Sequence, residues 1–173
     1  MTGAQYGTSG VRKSRWRIDP SVSRIWFEAK WMFGMCTAIG VFERFDGWAQ
    51  LQDDGSLAGE LTIEASSVNT GNRLRDHDLH NRLFLDSRNY PTLTLTAEGV
   101  TVTGRSVAGS GQLLVRARSA TFPLHGTARA DADHLTLTGS ATVDVRQFGW
   151  PTALGYIGRS LVINGALSLD RDG

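Results

Sequence analysis

The side chains best suited to chemistry in this chain lie together in one short charged segment. Asp76, His77 and His80, with Asp78 among them, are metal ligands or acid–base groups by type. On a helix, residues three or four positions apart share a face, so these groups could converge on a divalent cation. Several arginines crowd the same segment and oppose a cation, which favours a solvated helix face with internal ion pairs. A metal-dependent hydrolase using Asp76, His77 and His80 is therefore kept as an alternative.

Other catalytic arrangements are not supported by the sequence. Cys36 is the only cysteine, which excludes an internal disulfide and any multi-cysteine metal site. The chain has no G-x-S-x-G sequence, so the strained turn of the serine hydrolases is missing. We therefore expect no enzymatic activity, no bound metal and no cofactor.

The charged segment interrupts a chain that otherwise alternates between apolar and polar residues. Within residues 67–91, Leu74, Leu79, Leu83 and Phe84 recur at roughly helical spacing among charged residues. The two-residue period resumes directly after Pro91. The pattern predicts one charged helix with an apolar edge, set into an all-β chain as a lid or plug.

The alternation on either side of this helix predicts strands with one buried face. It is clear from Ile25 to Phe33 and clearest from Leu161 to Leu169. About eight such segments, separated by turns that carry Gly, Asp or Asn, indicate an antiparallel sheet that closes or folds on itself. A closed barrel fits this pattern, and a two-sheet sandwich with the same period stays open as an alternative.

Length and charge limit the broad class of protein. The 173 residues fit one domain, which we place at residues 15–173, after a small, polar and Gly-rich arm at residues 1–14 that we expect to be disordered. The 18 basic and 17 acidic side chains nearly cancel, so we predict no nucleic-acid partner. The sequence shows neither a secretory signal nor an apolar run of about 20 residues, so we expect a cytoplasmic protein without stable membrane insertion.

Large apolar side chains are concentrated early in the chain. Phe27, Trp31, Phe33 and Phe42 fall within sixteen residues. They could fill a core, or they could line one end of a hollow barrel that holds a long hydrocarbon ligand. Periodicity alone does not separate a filled barrel from a hollow one.

Short sequences in a fixed order resemble a known family over most of the chain, from about residue 16 to residue 169. They are Trp16-Arg17-Ile18-Asp19, Phe45-Asp46-Gly47, Ser67-Val68-Asn69-Thr70-Gly71, Arg75-Asp76-x-x-Leu79, Tyr90-Pro91-Thr92 and Arg146-x-Phe148-Gly149. Each is weak alone, but their order and spacing together are fairly specific. The chain resembles the YceI-like family, lipocalin-like proteins associated with binding polyisoprenoids and related amphiphiles.

The resemblance implies an eight-stranded antiparallel, lipocalin-like barrel with one helix inserted near its mouth. It also implies an apolar tunnel for an isoprenoid chain and no catalytic activity. The residues that we expect to line the tunnel are Phe27, Trp31, Phe33, Phe42, Leu79, Phe84, Leu85 and Phe148. Those that we expect to gate the mouth or contact a head group are Arg75, Asp76 and His77.

The resulting hypothesis is non-enzymatic binding, sequestration or transport of a long-chain isoprenoid or similar amphiphilic lipid. Besides the hydrolase, the alternative is a filled barrel that acts as an interaction module through its outer surface, and a homodimer stays open.

Overall fold

The computed structural model describes residues 14–153 and 157–173. The predicted arm therefore lies outside the described residues except for its last residue, Ser14. The Ser14 carbonyl oxygen accepts a hydrogen bond from the Leu51 backbone N–H at 3.1 Å, so Ser14 already belongs to the folded domain.

The described residues are mostly strands. The strands are β1 (Arg15–Ile18), β2 (Arg24–Trp31), β3 (Cys36–Phe42), β4 (Phe45–Leu51), β5 (Leu57–Glu64), β6 (Val68–Asn69), β7 (Thr92–Thr103), β8 (Ser106–Val115), β9 (Arg118–Ala130), β10 (His134–Asp144) and β11 (Ile157–Arg171). The α-helix α1 spans Arg73–Leu79, and two 3₁₀ turns span Ala65–Ser67 and Val145–Phe148.

The strands form one antiparallel sheet that closes into a barrel. From β7 to β11 each strand pairs with the next, and β1 closes the sheet by pairing with both β4 and β11. Both β1 and β2 pair along β11, so they occupy one strand position interrupted by a bend. The pieces β3 and β4, and likewise β5 and β6, continue one another in the same way. The barrel thus has eight strand positions, which confirms the predicted fold.

The barrel interior is apolar because alternate residues of every strand point inward. Ile25 and Leu169 are almost fully buried in it, and Leu161 and Ile163 also face it from β11. Toward the end opposite the mouth, the inward face contains glycines. Gly126, Gly139 and Gly165 lie opposite one another on β9, β10 and β11 and form what we call the glycine band. Without side chains, this part of the wall leaves space in the interior.

The helix α1 connects β6 to β7 across one end of the barrel, which we call the mouth. The Asn72 side chain caps its first turn by accepting hydrogen bonds from the Leu74 and Arg75 N–H groups, both at 3.1 Å. The predicted apolar edge extended to Phe84, but the helix ends at Leu79. The Leu79 carbonyl oxygen instead accepts a bond from the Leu85 N–H at 3.0 Å, and the chain continues in turns.

No helix among the described residues has the length and apolar character needed to cross a membrane.

Candidate ligand-binding site

A cavity of about 270 Å³ opens at the mouth of the barrel beneath α1. Inward side chains of β2 and β11 form part of its wall. They include Ala29 and Leu161, which are paired neighbours on these two adjacent strands. Aliphatic side chains of β5, β7 and β8 also line it. The wall of this cavity is therefore mainly apolar.

Aromatic side chains give this cavity a rigid wall. The rings of Phe27 and Phe42 lie 5.6 Å apart between centroids. Phe84 and Trp150 meet edge to face at 5.5 Å, and Trp150 also packs against Phe148 at 5.7 Å. The buried Trp150 Nε1–H donates to the Phe84 carbonyl oxygen at 3.0 Å. This bond satisfies the indole donor and fixes Phe84, which follows α1, against the barrel.

The polar side chains of this cavity are confined to its mouth. Among the described residues that line it, Asn72, Arg75 and Asp78 are the polar or charged ones, and all three belong to α1 or its cap. The Arg75 guanidinium lies 5.1 Å from the centre of the Trp31 ring, within the range of a cation–π contact. An apolar interior with polar groups at one end is complementary to an amphiphile that has a hydrocarbon chain and a polar head.

A second cavity of about 190 Å³ lies deeper in the barrel. It is bordered by the glycine band and by apolar side chains such as Ile18 and Leu169. Four residues line both cavities and therefore form the boundary between them. We call this set the dividing layer, and it consists of Ile25, Leu61, Leu95 and Ile163. The barrel is thus hollow at two adjacent levels, which contradicts the alternative of a filled interior.

Most residues predicted to line a tunnel do face the mouth cavity. They are Phe27, Trp31, Phe42, Leu79, Phe84, Leu85 and Phe148, together with Arg75 from the predicted gate. Ligand binding by them stays a prediction.

Phe33 was predicted to line the cavity, and this prediction is wrong. Its side chain is 81% exposed, and it lies in the turn between β2 and β3 rather than in a strand. Strand β2 ends at Trp31, so the alternation that places Phe27 and Trp31 inside does not continue through Phe33.

Asp76 and His77 lie on α1 at the mouth, but neither lines the cavity. The Asp76 carboxylate accepts hydrogen bonds from the Thr70 backbone N–H at 2.9 Å and from the Thr70 hydroxyl at 2.6 Å. It therefore anchors the helix to the segment after β6. His77 is exposed to solvent.

The metal alternative finds no support in the geometry. In the described part of the chain, no three His, Cys, Asp or Glu side chains are grouped as a metal site requires. Asp76 is committed to Thr70, and His80 Nδ1 lies 3.1 Å from the Ser87 hydroxyl. Asp76 and His80 lie one helical turn apart, since the His80 backbone N–H donates to the Asp76 carbonyl oxygen at 3.3 Å, but their side chains have different partners.

Sequence reasoning missed several residues of the mouth cavity. Trp150 is 8% exposed and lies in the aromatic wall, although it follows directly after the recognised Phe148-Gly149 pair. An aromatic residue two positions after Phe148 was the available signal. Asn72 and Asp78 were also missed, because their approach to the cavity depends on how α1 lies across the mouth.

Arginine side chains make hydrogen bonds around the mouth. The Arg116 guanidinium donates to the Arg82 carbonyl oxygen at 2.6 Å and to that of Phe148, so the β8–β9 turn ties together two segments beside the cavity. Hydrogen bonds from Arg146 hold the pKa of Asp144 at about 2, below its usual value. Asp144 is therefore an anion at neutral pH.

A closed eight-stranded antiparallel barrel with an apolar cavity and a helix at its mouth defines a lipocalin-like binding barrel. The family model of the YceI-like domain matches residues 16–169. The chain belongs to the YceI-like family.

Solved structures with the same fold come from several bacteria. BcnA of Burkholderia cenocepacia has a TM-score of 0.77 at 15% identity, over 87% of this chain and 98% of that chain. A polyisoprenoid-binding domain of Saccharophagus degradans, implicated in plant cell wall breakdown, has a TM-score of 0.69 at 13% identity, over 91% and 98%. A YceI protein of Campylobacter jejuni has 0.69 at 16% identity, over 78% and 85%. No curated protein matches the chain significantly. The family and the fold support a lipid-binding role.

Proposed function

We propose that the barrel binds, and thereby sequesters or transports, a long-chain isoprenoid or similar amphiphilic lipid without catalysing a reaction. The observation that carries this proposal is the distribution of polarity in the mouth cavity. Its walls are apolar, while Asn72, Arg75 and Asp78 gather at the opening. The hydrocarbon chain occupies the interior, and the polar head lies beside α1. The cytoplasmic location and the homodimer stay predictions.

The two cavities together favour an extended chain over a compact ligand. Neither volume alone reaches the range of about 300–1,000 Å³ that is usual for small-molecule sites, but the two combined do. A chain that passes the dividing layer gains about 0.8 kcal/mol for each CH₂ group that it buries. Chain length is therefore the main source of affinity. The neighbour from Saccharophagus degradans is described as a polyisoprenoid-binding domain, and a polyisoprenoid is a ligand of this kind.

Neighbouring positions on β3 provide a matched test of this proposal. Ala38 is buried and lines the mouth cavity, whereas the next residue, Ile39, is 53% exposed on the outer face. Ala38→Phe fills the cavity, and Ile39→Phe adds the same side chain outside it. We expect Ala38→Phe to weaken binding of a fluorescent prenyl alcohol at least about tenfold, since several CH₂ groups lose their place. Ile39→Phe should bind like the unsubstituted protein.

Native mass spectrometry of the unsubstituted protein completes the test. We expect an added mass that organic solvent releases. An empty protein that also fails to take up the prenyl alcohol would refute lipid binding. Equal binding by both folded variants, checked by circular dichroism, would place the ligand outside the mouth cavity.

A further inference from the structure

The turn between β2 and β3 exposes large apolar side chains at the mouth of the barrel. Phe33 and Met35 are 81% and 76% exposed, and Met32 is 43% exposed. Isolated exposed apolar side chains are common on soluble proteins, but a cluster in one short turn marks a surface that contacts something.

The backbone of this turn does not favour these side chains. Met32 and Phe33 have φ angles of +49° and +57°, and Gly34 follows at +84°. Left-handed backbone is uncommon for residues other than glycine and is adopted more readily by Asn. The turn is closed by a hydrogen bond from the Gly34 N–H to the Trp31 carbonyl oxygen at 3.2 Å. A bulky Phe in a strained and exposed position is not explained by folding, which motivates a functional explanation.

The turn lies on the rim of the mouth cavity together with other exposed apolar residues. It continues directly from Trp31, which lines the cavity and is covered by the Arg75 guanidinium of α1. Leu74 on the same helix is 80% exposed, and Leu83, in the segment after it, is 59% exposed. We call this set the rim patch, and it consists of Met32, Phe33, Met35, Leu74 and Leu83.

Exposed cations accompany the rim patch. Lys30, Arg73 and Arg82 are exposed, and each lies within two residues of a member of the patch. Asp78 is the exposed acidic residue of α1, whereas Asp76 is bonded to Thr70. The net charge of the whole chain is only +1, so any attraction to an anionic surface is local to this rim. Apolar tips flanked by Lys and Arg are typical of proteins that bind the interface of anionic bilayers.

We propose that the mouth of the barrel docks on an anionic lipid bilayer, with the rim patch inserted at the boundary between head groups and acyl chains. This docking goes beyond the proposed function. It rests on that function in one respect, the choice of a lipid bilayer rather than a protein as the partner. A narrow turn and two separate leucines do not offer the roughly 800 Å² per partner of a stable protein interface. A bilayer accepts each apolar side chain separately. Docked in this way, the cavity opens directly onto the membrane, so a lipid moves between them without crossing water.

Phe33→Asn tests the docking and leaves the fold intact, because Asn tolerates the left-handed backbone better than Phe. The control is Val22→Asn, which removes a side chain that is 67% exposed in the connection between β1 and β2, along the side of the barrel. Co-sedimentation is measured with vesicles of phosphatidylcholine alone and of phosphatidylcholine mixed with phosphatidylserine. We expect the unsubstituted protein and Val22→Asn to bind the mixed vesicles more tightly, and added salt to weaken this binding. Phe33→Asn should lose at least about tenfold in vesicle affinity.

Uptake of a water-dispersed fluorescent prenyl alcohol, measured without vesicles, separates the docking from lipid binding itself. We expect Phe33→Asn to take up this probe like the unsubstituted protein and to melt at the same or a higher temperature. The docking proposal is overturned if the unsubstituted protein binds neither kind of vesicle, or if Phe33→Asn and Val22→Asn bind vesicles equally. In either case normal uptake of the probe would leave the proposed function standing.

Discussion

The carboxylate of Glu64 lies beside two bends of the barrel, the one between β3 and β4 and the one between β5 and β6. It accepts hydrogen bonds from Arg44 Nε at 2.7 Å and Nη2 at 2.8 Å, and from the Ser66 hydroxyl at 2.8 Å. The Glu64 backbone N–H also donates to the Arg44 carbonyl oxygen at 2.9 Å. Arg44 connects β3 to β4, and Glu64 ends β5. The pair therefore fixes the bends of two neighbouring strand positions relative to each other.

The Arg44 hydrogen bonds, with help from Ser66, lower the pKa of Glu64 from 4.5 to about 2. A carboxyl group with a lowered pKa in the folded state stabilises the protein above its unfolded pKa, and this contribution is lost as the pH falls toward the folded pKa. We expect Glu64→Gln to lower Tm by at most about 2 °C at neutral pH, because the pair is exposed. The Tm difference from the unsubstituted protein should shrink between pH 4.5 and about 2.

Thermal melts across this pH range check the prediction, with Glu98→Gln as the control. Glu98 is exposed on β7, so its replacement removes one negative charge without breaking the Arg44 pair. A Tm difference for Glu64→Gln that stays constant down to the lowest pH would contradict the assignment.

At the scale of elements, α1 is short and has no buried residue, so its contacts with the rest of the chain must hold it in place. A helix of seven residues is not stable on its own in water. The cap by Asn72 and the two bonds from Thr70 to Asp76 supply these contacts at its first turns. At its other end, the Leu79 carbonyl oxygen accepts a hydrogen bond from the Leu85 N–H at 3.0 Å, so the helix that carries Arg75 over Trp31 is held at both ends.

Asp76→Ala removes both bonds from Thr70 and should cost about 1–2 kcal/mol, since hydrogen bonds to charged groups contribute amounts of this size. We expect amide hydrogen exchange to become faster in residues 73–79 and to change little in β7–β11. His77→Ala, one residue further on the same helix and exposed, is the control and should leave exchange unchanged. Equal exchange in the two variants would show that the Thr70 bonds do not hold the helix.

The sequence predicted the existence of the helix and strands better than their ends. Phe27 and Phe33 have the same position in the alternation, yet one is buried and the other is 81% exposed. The difference arises because β2 ends at Trp31. The left-handed turn that follows contains no Asn or Pro and only one Gly, so the sequence contains little indication of a turn there. The local pattern also could not show that Asp76 bonds to Thr70, because this bond depends on the angle at which α1 leaves β6.

At the scale of the molecule, the glycine band borders the second cavity. The glycines of the glycine band differ in the space around them. A Cβ on Gly165 would have its nearest neighbour, Leu167 Cγ, at 3.9 Å, which is ordinary contact. A Cβ on Gly126 would overlap the Thr138 carbonyl oxygen of the adjacent strand. Gly165 therefore keeps the second cavity open, and Gly126 permits the close approach of β9 and β10.

Alanine substitutions should separate these two roles. We expect Gly126→Ala to destabilise the protein by about 1–3 kcal/mol or more, because the overlap is with backbone that cannot move aside. Gly165→Ala should be neutral or stabilising by about 0.4–1 kcal/mol, because it restricts the unfolded chain and meets free space in the folded one. Urea unfolding of both variants measures the difference. Similar losses at both positions would mean that the second cavity is smaller than the structure shows.

One-sided alternation made antiparallel strands accessible from the sequence, but it fits a two-sheet sandwich equally well. The closed barrel was predicted from the family resemblance. The hollow interior was not accessible. In the sequence, the glycines at positions such as 139 and 165 look the same as the glycines of hairpin turns. Only the strand register shows that Gly139 lies opposite both Gly126 and Gly165, so that the three glycines together border the second cavity.

The pairing of β1 with β11, which closes the barrel, also determines where another group can be joined to the chain. Trp16 lies opposite Arg171, and the Asp172 N–H donates to the Arg15 carbonyl oxygen at 2.9 Å. Both ends of the barrel-forming chain therefore leave side by side at the rim opposite the mouth, where β11 ends. A group joined after Gly173 is therefore attached at that far rim. Immobilisation through such a group places the attachment point at the end of the barrel opposite the mouth.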